Sequence, residues 1–159
     1  MTFKNKLYTC CFFGHRTINE TEGLKLGLYR TIERLIIEKN VDTFLFGSKS
    51  RFDSLCLEIV TILKEKYPHI KRIYVRAEFP YISEVYKSYL LTIYDDTYYP
   101  EKIKGAGKAV YVKRNCEMIE NSRFCIVYYD ERYTPENRNS GTKIALDYAM
   151  KQEKKIIIF

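Results

Sequence analysis

Residues 7–13 form a short apolar run rich in strand-forming side chains, and the run stops abruptly at Gly14-His15-Arg16. A long helical pattern follows over residues 20–39, with Leu24, Leu28, Ile32, Leu35 and Ile36 at helical spacing. Asn19 or Thr21 is placed to cap this helix and Asn40 to end it. The chain then repeats the device. Residues 43–46 read as a second strand closed by Gly47, and residues 52–67 as a second helix with Leu55, Ile59, Ile62 and Leu63 on its apolar stripe. Pro68 ends that helix, and residues 70–77 supply a third strand. Buried strands joined through amphipathic helices by short loops predict a parallel sheet with helices packed on its faces.

The second half is less regular. Residues 83–94 have a helical pattern, residues 95–108 read as a loop containing Tyr98, Tyr99, Pro100, Gly105 and Gly107, and residues 109–121 return to a helix. Residues 124–128 form the next strand. A polar loop ending Arg138-Asn139-Ser140-Gly141-Thr142 opens the last helix, which runs to about Gln152, and residues 156–159 are a final apolar strand. No internal repeat or composition break divides the chain, so residues 1–159 are expected to form one Rossmann-like domain, a three-layer α/β/α sandwich. Its mainly parallel sheet is expected in the order 3-2-1-4-5. In such sheets ligands bind beyond the carboxyl ends of the strands, where the strand order reverses. There Gly14-His15-Arg16 and Ser140-Gly141-Thr142 share one crevice, flanked by residues 47–53.

Both loops suit an anion. The first-turn N–H groups of a helix lack intrahelical acceptors, and its dipole favours negative charge. The chain has 27 Lys and Arg against 20 Asp and Glu, a formal charge of +7. These basic residues are dispersed, with no run of five or six. Small phosphorylated ligands fit that distribution better than nucleic acid, which stays open through field alone. No apolar run approaches the ~20 residues of a membrane helix, and no secretory h-region opens the chain, so the expected setting is the cytoplasm. Five cysteines (Cys10, Cys11, Cys56, Cys116 and Cys125) without a Cys-x-x-Cys pair, and only His15 and His69, point to reduced thiols and no metal site.

The candidate ligand-binding residues are Gly14, His15, Arg16, Gly47, Ser48, Asp53, Arg114, Ser140, Gly141 and Thr142. Several have a plainer alternative, among them Arg114, which lies in a helix beside Lys113 where a solvent-facing pair is the ordinary expectation. Gly14 allows close backbone approach to ligand or a positive φ, and His15 contacts a phosphate or ribose or closes the turn. Arg16 neutralises a phosphate or pairs with a helix carboxylate. Asp53 binds a ribose or acts in catalysis, or caps a helix, and Ser140 is a phosphate contact or an ordinary cap. Tyr94, Tyr98, Tyr99, Tyr128 and Tyr129 stack on a base or pack around the sheet edge. Cys116 is read as packing, since the sequence places no base beside it.

Several of these segments resemble the YpsA-like branch of the SLOG superfamily. They are Phe13-Gly14-His15-Arg16, Phe46-Gly47 leading through Phe52-Asp53 to Lys64-Glu65-Lys66-Tyr67-Pro68, Arg114-Asn115-Cys116-Glu117-Met118, Asn121-Ser122, and Ser140-Gly141-Thr142 after the strand at 124–128. They occur in the family's order over nearly the whole chain. The resemblance implies a Rossmann-like fold holding a nucleotide or nucleotide-derived ligand, with no resident cofactor. Among relatives, the Lonely-guy phosphoribohydrolases cleave the N-glycosidic bond of nucleoside monophosphates, and others resemble nucleotide sensors or the DNA-processing proteins of the DprA/Smf group. Arg114 matches the arginine of the Lonely-guy Arg-Lys-x-x-Met segment, Asn115 takes the lysine position, and Met118 keeps the methionine. Gly141-Thr142 matches the end of the Pro-Gly-Gly-x-Gly-Thr-x-x-Glu loop without its two leading glycines, and the catalytic glutamate falls on Ala145. A cation-like sugar needs a carboxylate, so the resemblance favours a binding module. A glycosidase would need a substitute such as Asp53, Asp130 or Glu117. Exposed apolar helix faces often pair in this fold class, which leaves a homo-oligomer as an open alternative.

Overall fold

The computed structural model describes residues 5–133 and 140–159; Arg138 and Asn139 of the late loop lie outside them. In chain order the elements are β1 (Thr9–Gly14), α1 (Glu22–Lys39), β2 (Thr43–Phe46), α2 (Arg51–Lys66), β3 (Lys71–Val75), α3 (Glu84–Leu90) and β4 (Asp96–Tyr98). After these come α4 (Val110–Glu120), β5 (Phe124–Tyr128), α5 (Gly141–Lys151) and β6 (Lys155–Ile158). Alternation along the central strands decides the layering. Cys10 and Phe12 of β1 join Phe44 and Phe46 of β2 in one apolar layer, while Cys11, Phe13 and Leu45 join the other. Strands buried on both faces need two coats of helix. On the Phe12 side α1 contributes Leu28 and Ile32, and α2 contributes Leu55, Cys56, Ile59 and Leu63. Met118 and Ile119 of α4 and Ala145, Leu146 and Ala149 of α5 cover the other side. The Phe12 ring stacks on Phe46 at 5.1 Å and on Phe44 at 6.0 Å, which ties β1 to β2 across the face.

The six strands are all parallel in the order β4-β3-β2-β1-β5-β6. The five strands expected from the sequence hold their expected relative order, but the sheet gains an edge strand. Residues 95–108 are therefore not simply a loop. β4 has only Asp-Thr-Tyr to offer, with no apolar run to mark it, and tertiary bonds place it. Arg76 N–H donates to the Tyr98 carbonyl at 2.9 Å, the Arg76 guanidinium to Thr97 Oγ1 at 3.0 Å, and Arg72 to the Asp95 carboxylate at 3.0 and 3.2 Å.

Local signals act largely as read. Thr21, rather than Asn19, caps α1 by accepting the Leu24 N–H at 3.0 Å, and Asn40 ends it in the left-handed region at φ 57°. Ile62, expected on the buried stripe of α2, is exposed. Helix α3 ends at Leu90, short of the expected Tyr94, whose ring instead stacks on Tyr74 at 5.1 Å. All five cysteines are free thiols; Cys10, Cys11, Cys56 and Cys125 are buried and Cys116 is half-buried. Cys11 and Cys125 face each other across β1 and β5 with Sγ atoms 3.5 Å apart. Among the described residues no helix is long and apolar enough to cross a membrane.

Gly14 has neither a positive φ nor an empty approach to it. A Cβ at this position would overlap the Cβ and ring of Phe52, so the glycine seats α2 against the end of β1. Gly14→Ala is expected to cost about 1–3 kcal/mol through overpacking. Gly141→Ala, whose Cβ would meet nothing within 4 Å, should change stability by less than about 0.5 kcal/mol. Urea unfolding of the two variants checks the contrast.

Candidate functional site

The reversal in strand order lies between β1 and β5, and a cleft of about 830 Å³ opens beside it, at the carboxyl ends of the strands. Gly14, His15, Arg16 and Thr17 form the wall that follows β1, and Ser140, Gly141 and Thr142 the wall at the start of α5. Ser48 and Ser50 line it from the β2–α2 turn, and Tyr111, Arg114 and Asn115 from α4. The two glycine-bearing loops expected to converge do so.

Two helices begin at this cleft. Ser140 Oγ accepts the Lys143 N–H at 3.0 Å as the cap of α5, leaving the amides of Gly141 and Thr142 ahead of the first intrahelical bond. Ser50 Oγ accepts the Asp53 N–H at 3.1 Å as the cap of α2, and the Arg51 N–H reaches the Arg16 carbonyl at 3.3 Å. Both positive dipole ends therefore face the same space. Arg16 stands exposed in the β1 loop. His15 is buried: its Nε2 accepts the Asp130 N–H at 2.9 Å, and its ring sits 5.7 Å from Tyr129. That bond ties the ends of β1 and β5 and requires an unprotonated Nε2. Burial holds the His15 pKa below its ordinary value, which agrees with a neutral ring.

The floor is built on Gly47, Arg114 and Asp53. Arg114, 4% exposed, donates from Nη1 to the Gly47 carbonyl at 2.9 Å and to the Val75 carbonyl at 3.3 Å, and from Nε to Asn115 Oδ1 at 2.9 Å. Met118 lies one turn further along α4, and both side chains press on Gly47. A Cβ at Gly47 would meet Met118 Sδ at 2.9 Å and Arg114 Cδ at 3.0 Å. Asp53, 2% exposed, does not line the cleft, and its Oδ1 has no hydrogen-bond partner. Its side chain faces the 47–49 turn beneath the cleft, where burial raises its pKa to about 7 against the pull of the Gly47 amide and Arg114. It is also not the cap of α2, since Ser50 takes that role.

The other carboxylates proposed as substitutes are engaged elsewhere. Asp130 pairs with Arg132 at 2.5 Å, and Glu117 accepts from Asn121 at 3.0 Å. Ala145 lies in the apolar layer under α5. Among the described residues, no Asp or Glu lines the larger cleft.

No family model matches the chain. It is 31% identical over 145 residues to the "Uncharacterized SPbeta prophage-derived protein YoqJ" of Bacillus subtilis (strain 168), a match covering 80% of this chain and 81% of that protein. The chain belongs to the YoqJ family.

Beside the main cleft of this YoqJ-family fold lies a smaller pocket of about 210 Å³. It shares Ser48, Tyr111 and Arg114 with the larger space, and Lys49, Arg76 and Phe79 extend it. Sequence reading missed Ser50, Arg76 and Tyr111. A signal existed for the first two: Ser50 stands three residues before Asp53 at a helix start, the spacing of a capping box, and Arg76 interrupts the end of an apolar strand. Tyr111 is one of 15 tyrosines, and nothing local distinguishes it.

The two titratable groups at this site act in opposite senses. The unfolded Asp53 carboxyl titrates in the ordinary range, so between that range and about 7 the folded protein holds the extra proton. Its contribution to stability is present at low pH and is lost as pH rises through about 7. His15, with its pKa lowered, contributes above its ordinary range and loses that contribution as pH falls through the folded value. Asp53→Asn is expected to gain stability relative to the parent protein between about pH 5 and about pH 8, by up to about 3 kcal/mol. Denaturant unfolding at the two pH values measures it, and a constant difference between the proteins would refute the assignment.

Proposed function

We propose that this protein is a cytoplasmic binding module that holds a nucleotide or nucleotide-derived ligand in the larger cleft. On this reading a phosphate rests on the amides of Gly141 and Thr142, with Arg16 and Arg114 contributing positive charge. One observation carries the proposal: among its described residues the cleft combines two helix N-termini and two arginines with no carboxylate. That wall is built for an anion. The cleft also has the size of a small-molecule site, within the range of about 300–1,000 Å³ common for such pockets. The resemblance to the SLOG superfamily adds the nucleotide to the anion.

The same observation weighs against a phosphoribohydrolase. Glycosidic cleavage needs a carboxylate at the sugar, yet Ala145 is buried in the core and Asp53 sits beneath the floor with its pKa raised to about 7. Nucleic acid is a weaker alternative, supported by the charge of +7 and by the resemblance to DNA-processing relatives.

Thermal shift and native mass spectrometry against mono-, di- and cyclic nucleotides test the proposal. At least one class should raise the melting temperature, and Arg16→Glu should weaken its binding about tenfold or more through charge reversal at the exposed loop. No shift with any of them at millimolar concentration would end the nucleotide reading. Release of free base from a nucleoside monophosphate, abolished in Asp53→Asn, would replace it with the enzymatic one.

A further inference from the structure

The smaller pocket holds two arginines that the fold buries without giving either a direct ion pair among the described residues. Arg76, 7% exposed, donates from Nε to the Phe79 carbonyl at 3.2 Å and from Nη1 to Thr97 Oγ1 at 3.0 Å. Arg114 is likewise held by two backbone carbonyls and an amide oxygen. Among the described residues neither guanidinium has an ion pair within 4.0 Å. Other arginines of this chain are treated differently. Arg72, four residues before Arg76, has Asp95 at 3.0 Å, and Arg51 has Glu20 at 2.6 Å. Asp53 and Glu78 act on Arg114, and Asp96 on Arg76, through space and without direct contact. A buried charge whose direct partners are all neutral is costly, and a second charge of opposite sign in contact with it relieves the cost.

Lys49 adds a third cation, its Nζ 5.2 Å from the centre of the Tyr74 ring. The pocket's one carboxylate, Glu78, accepts the Tyr111 hydroxyl and pairs with none of the three. The backbone is specialised here as well. Four described non-glycine residues have a positive φ: Asn40 and Glu153 follow α1 and α5, whereas Lys49 at 55° and Phe79 at 61° both border this pocket. Left-handed conformations that do not close a helix C-terminus are strained and accumulate at ligand sites. At about 210 Å³ the pocket is too small for a whole nucleotide and suits a single group.

We propose that this pocket is a second anion subsite of the ligand site, in which Arg76, Arg114 and Lys49 hold a phosphate remote from the one at α5, so that the ligand class is a nucleoside bisphosphate. The proposal rests on the nucleotide reading of the main cleft, which it narrows. Ser48, Tyr111 and Arg114 line both spaces, so a single ligand can reach from one into the other.

Two measurements on the full chain test it. The first is titration calorimetry with adenosine 5′-monophosphate and adenosine 3′,5′-bisphosphate. The bisphosphate is expected to bind about tenfold or more tightly, the worth of one added charge-assisted contact. Lys49→Gln and Arg76→Gln should each bring the two affinities closer together. Lys49 is exposed, so its variant remains informative if Arg76→Gln fails to fold. Equal affinities in the parent protein, or an unchanged ratio in Lys49→Gln, overturn the second subsite while leaving the main cleft standing. The second measurement is a crystal soaked in inorganic phosphate, which should show an anion within hydrogen-bond reach of Arg76. An anion there with no nucleotide binding would retain the subsite and overturn the nucleotide reading. No anion there overturns the subsite.

Discussion

The hydrogen bonds of the Arg114 guanidinium to the carbonyls of Gly47 and Val75 determine how this end of the sheet is finished. Carbonyls at the ends of parallel strands leave the ladder and need donor partners. Here one buried side chain from α4 serves the residue after β2 and the last residue of β3. Because Arg114 must cross the strand ends to do so, Gly47 can carry no side chain, and Met118 closes the space behind it. The β2–α2 turn is thereby fixed, with Ser48 and Ser50 in the cleft and Asp53 beneath it. A cation held by dipoles in this way is oriented before any ligand arrives, so little conformational entropy remains to be lost on binding.

Much of the fold was legible because it is written in alternation. Cys10-Cys11-Phe12-Phe13 and Phe44-Leu45-Phe46 split cleanly between two layers, and a strand apolar on both sides has no stable home except inside a sandwich. The long helix patterns and their caps, Thr21 and Ser140 among them, needed no tertiary context. What escaped was held by tertiary context alone. Asp96–Tyr98 becomes a strand because Arg72 of β3 bonds to Asp95 just before it and Arg76, just after β3, bonds to Thr97, and no local propensity announces that.

The site was legible to a similar extent and for the same reason. Loops that follow buried strands can be placed from topology, so the meeting of Gly14-His15-Arg16 with Ser140-Gly141-Thr142 was foreseeable. The depth of a side chain was not. Asp53 reads in the sequence as a helix-start carboxylate and Arg114 as a cation on a helix, yet both are buried, and burial shifts the protonation of each. Gly14 and Gly47 are packing glycines, one against Phe52 and the other against Arg114 and Met118, a role their sequence positions do not reveal. The membership of the YoqJ family adds a relative spanning most of the chain, and the chemistry has to be argued from the cleft.

The distribution of thiols has a practical consequence. Cys10, Cys11 and Cys125 sit in the adjacent strands β1 and β5 and Cys56 in α2, all sealed from solvent. Burial also pushes the Cys10, Cys11 and Cys56 thiols up, away from the reactive thiolate. Cys116 alone is half-exposed, on α4 close to the cleft-lining Arg114 and Asn115. An alkylating reagent therefore meets two kinetic populations in one molecule. Modification of Cys116 follows motion of α4 at the cleft, and modification of the other four follows opening of the whole sheet. The native cysteines thus separate local breathing from global unfolding without any label being introduced.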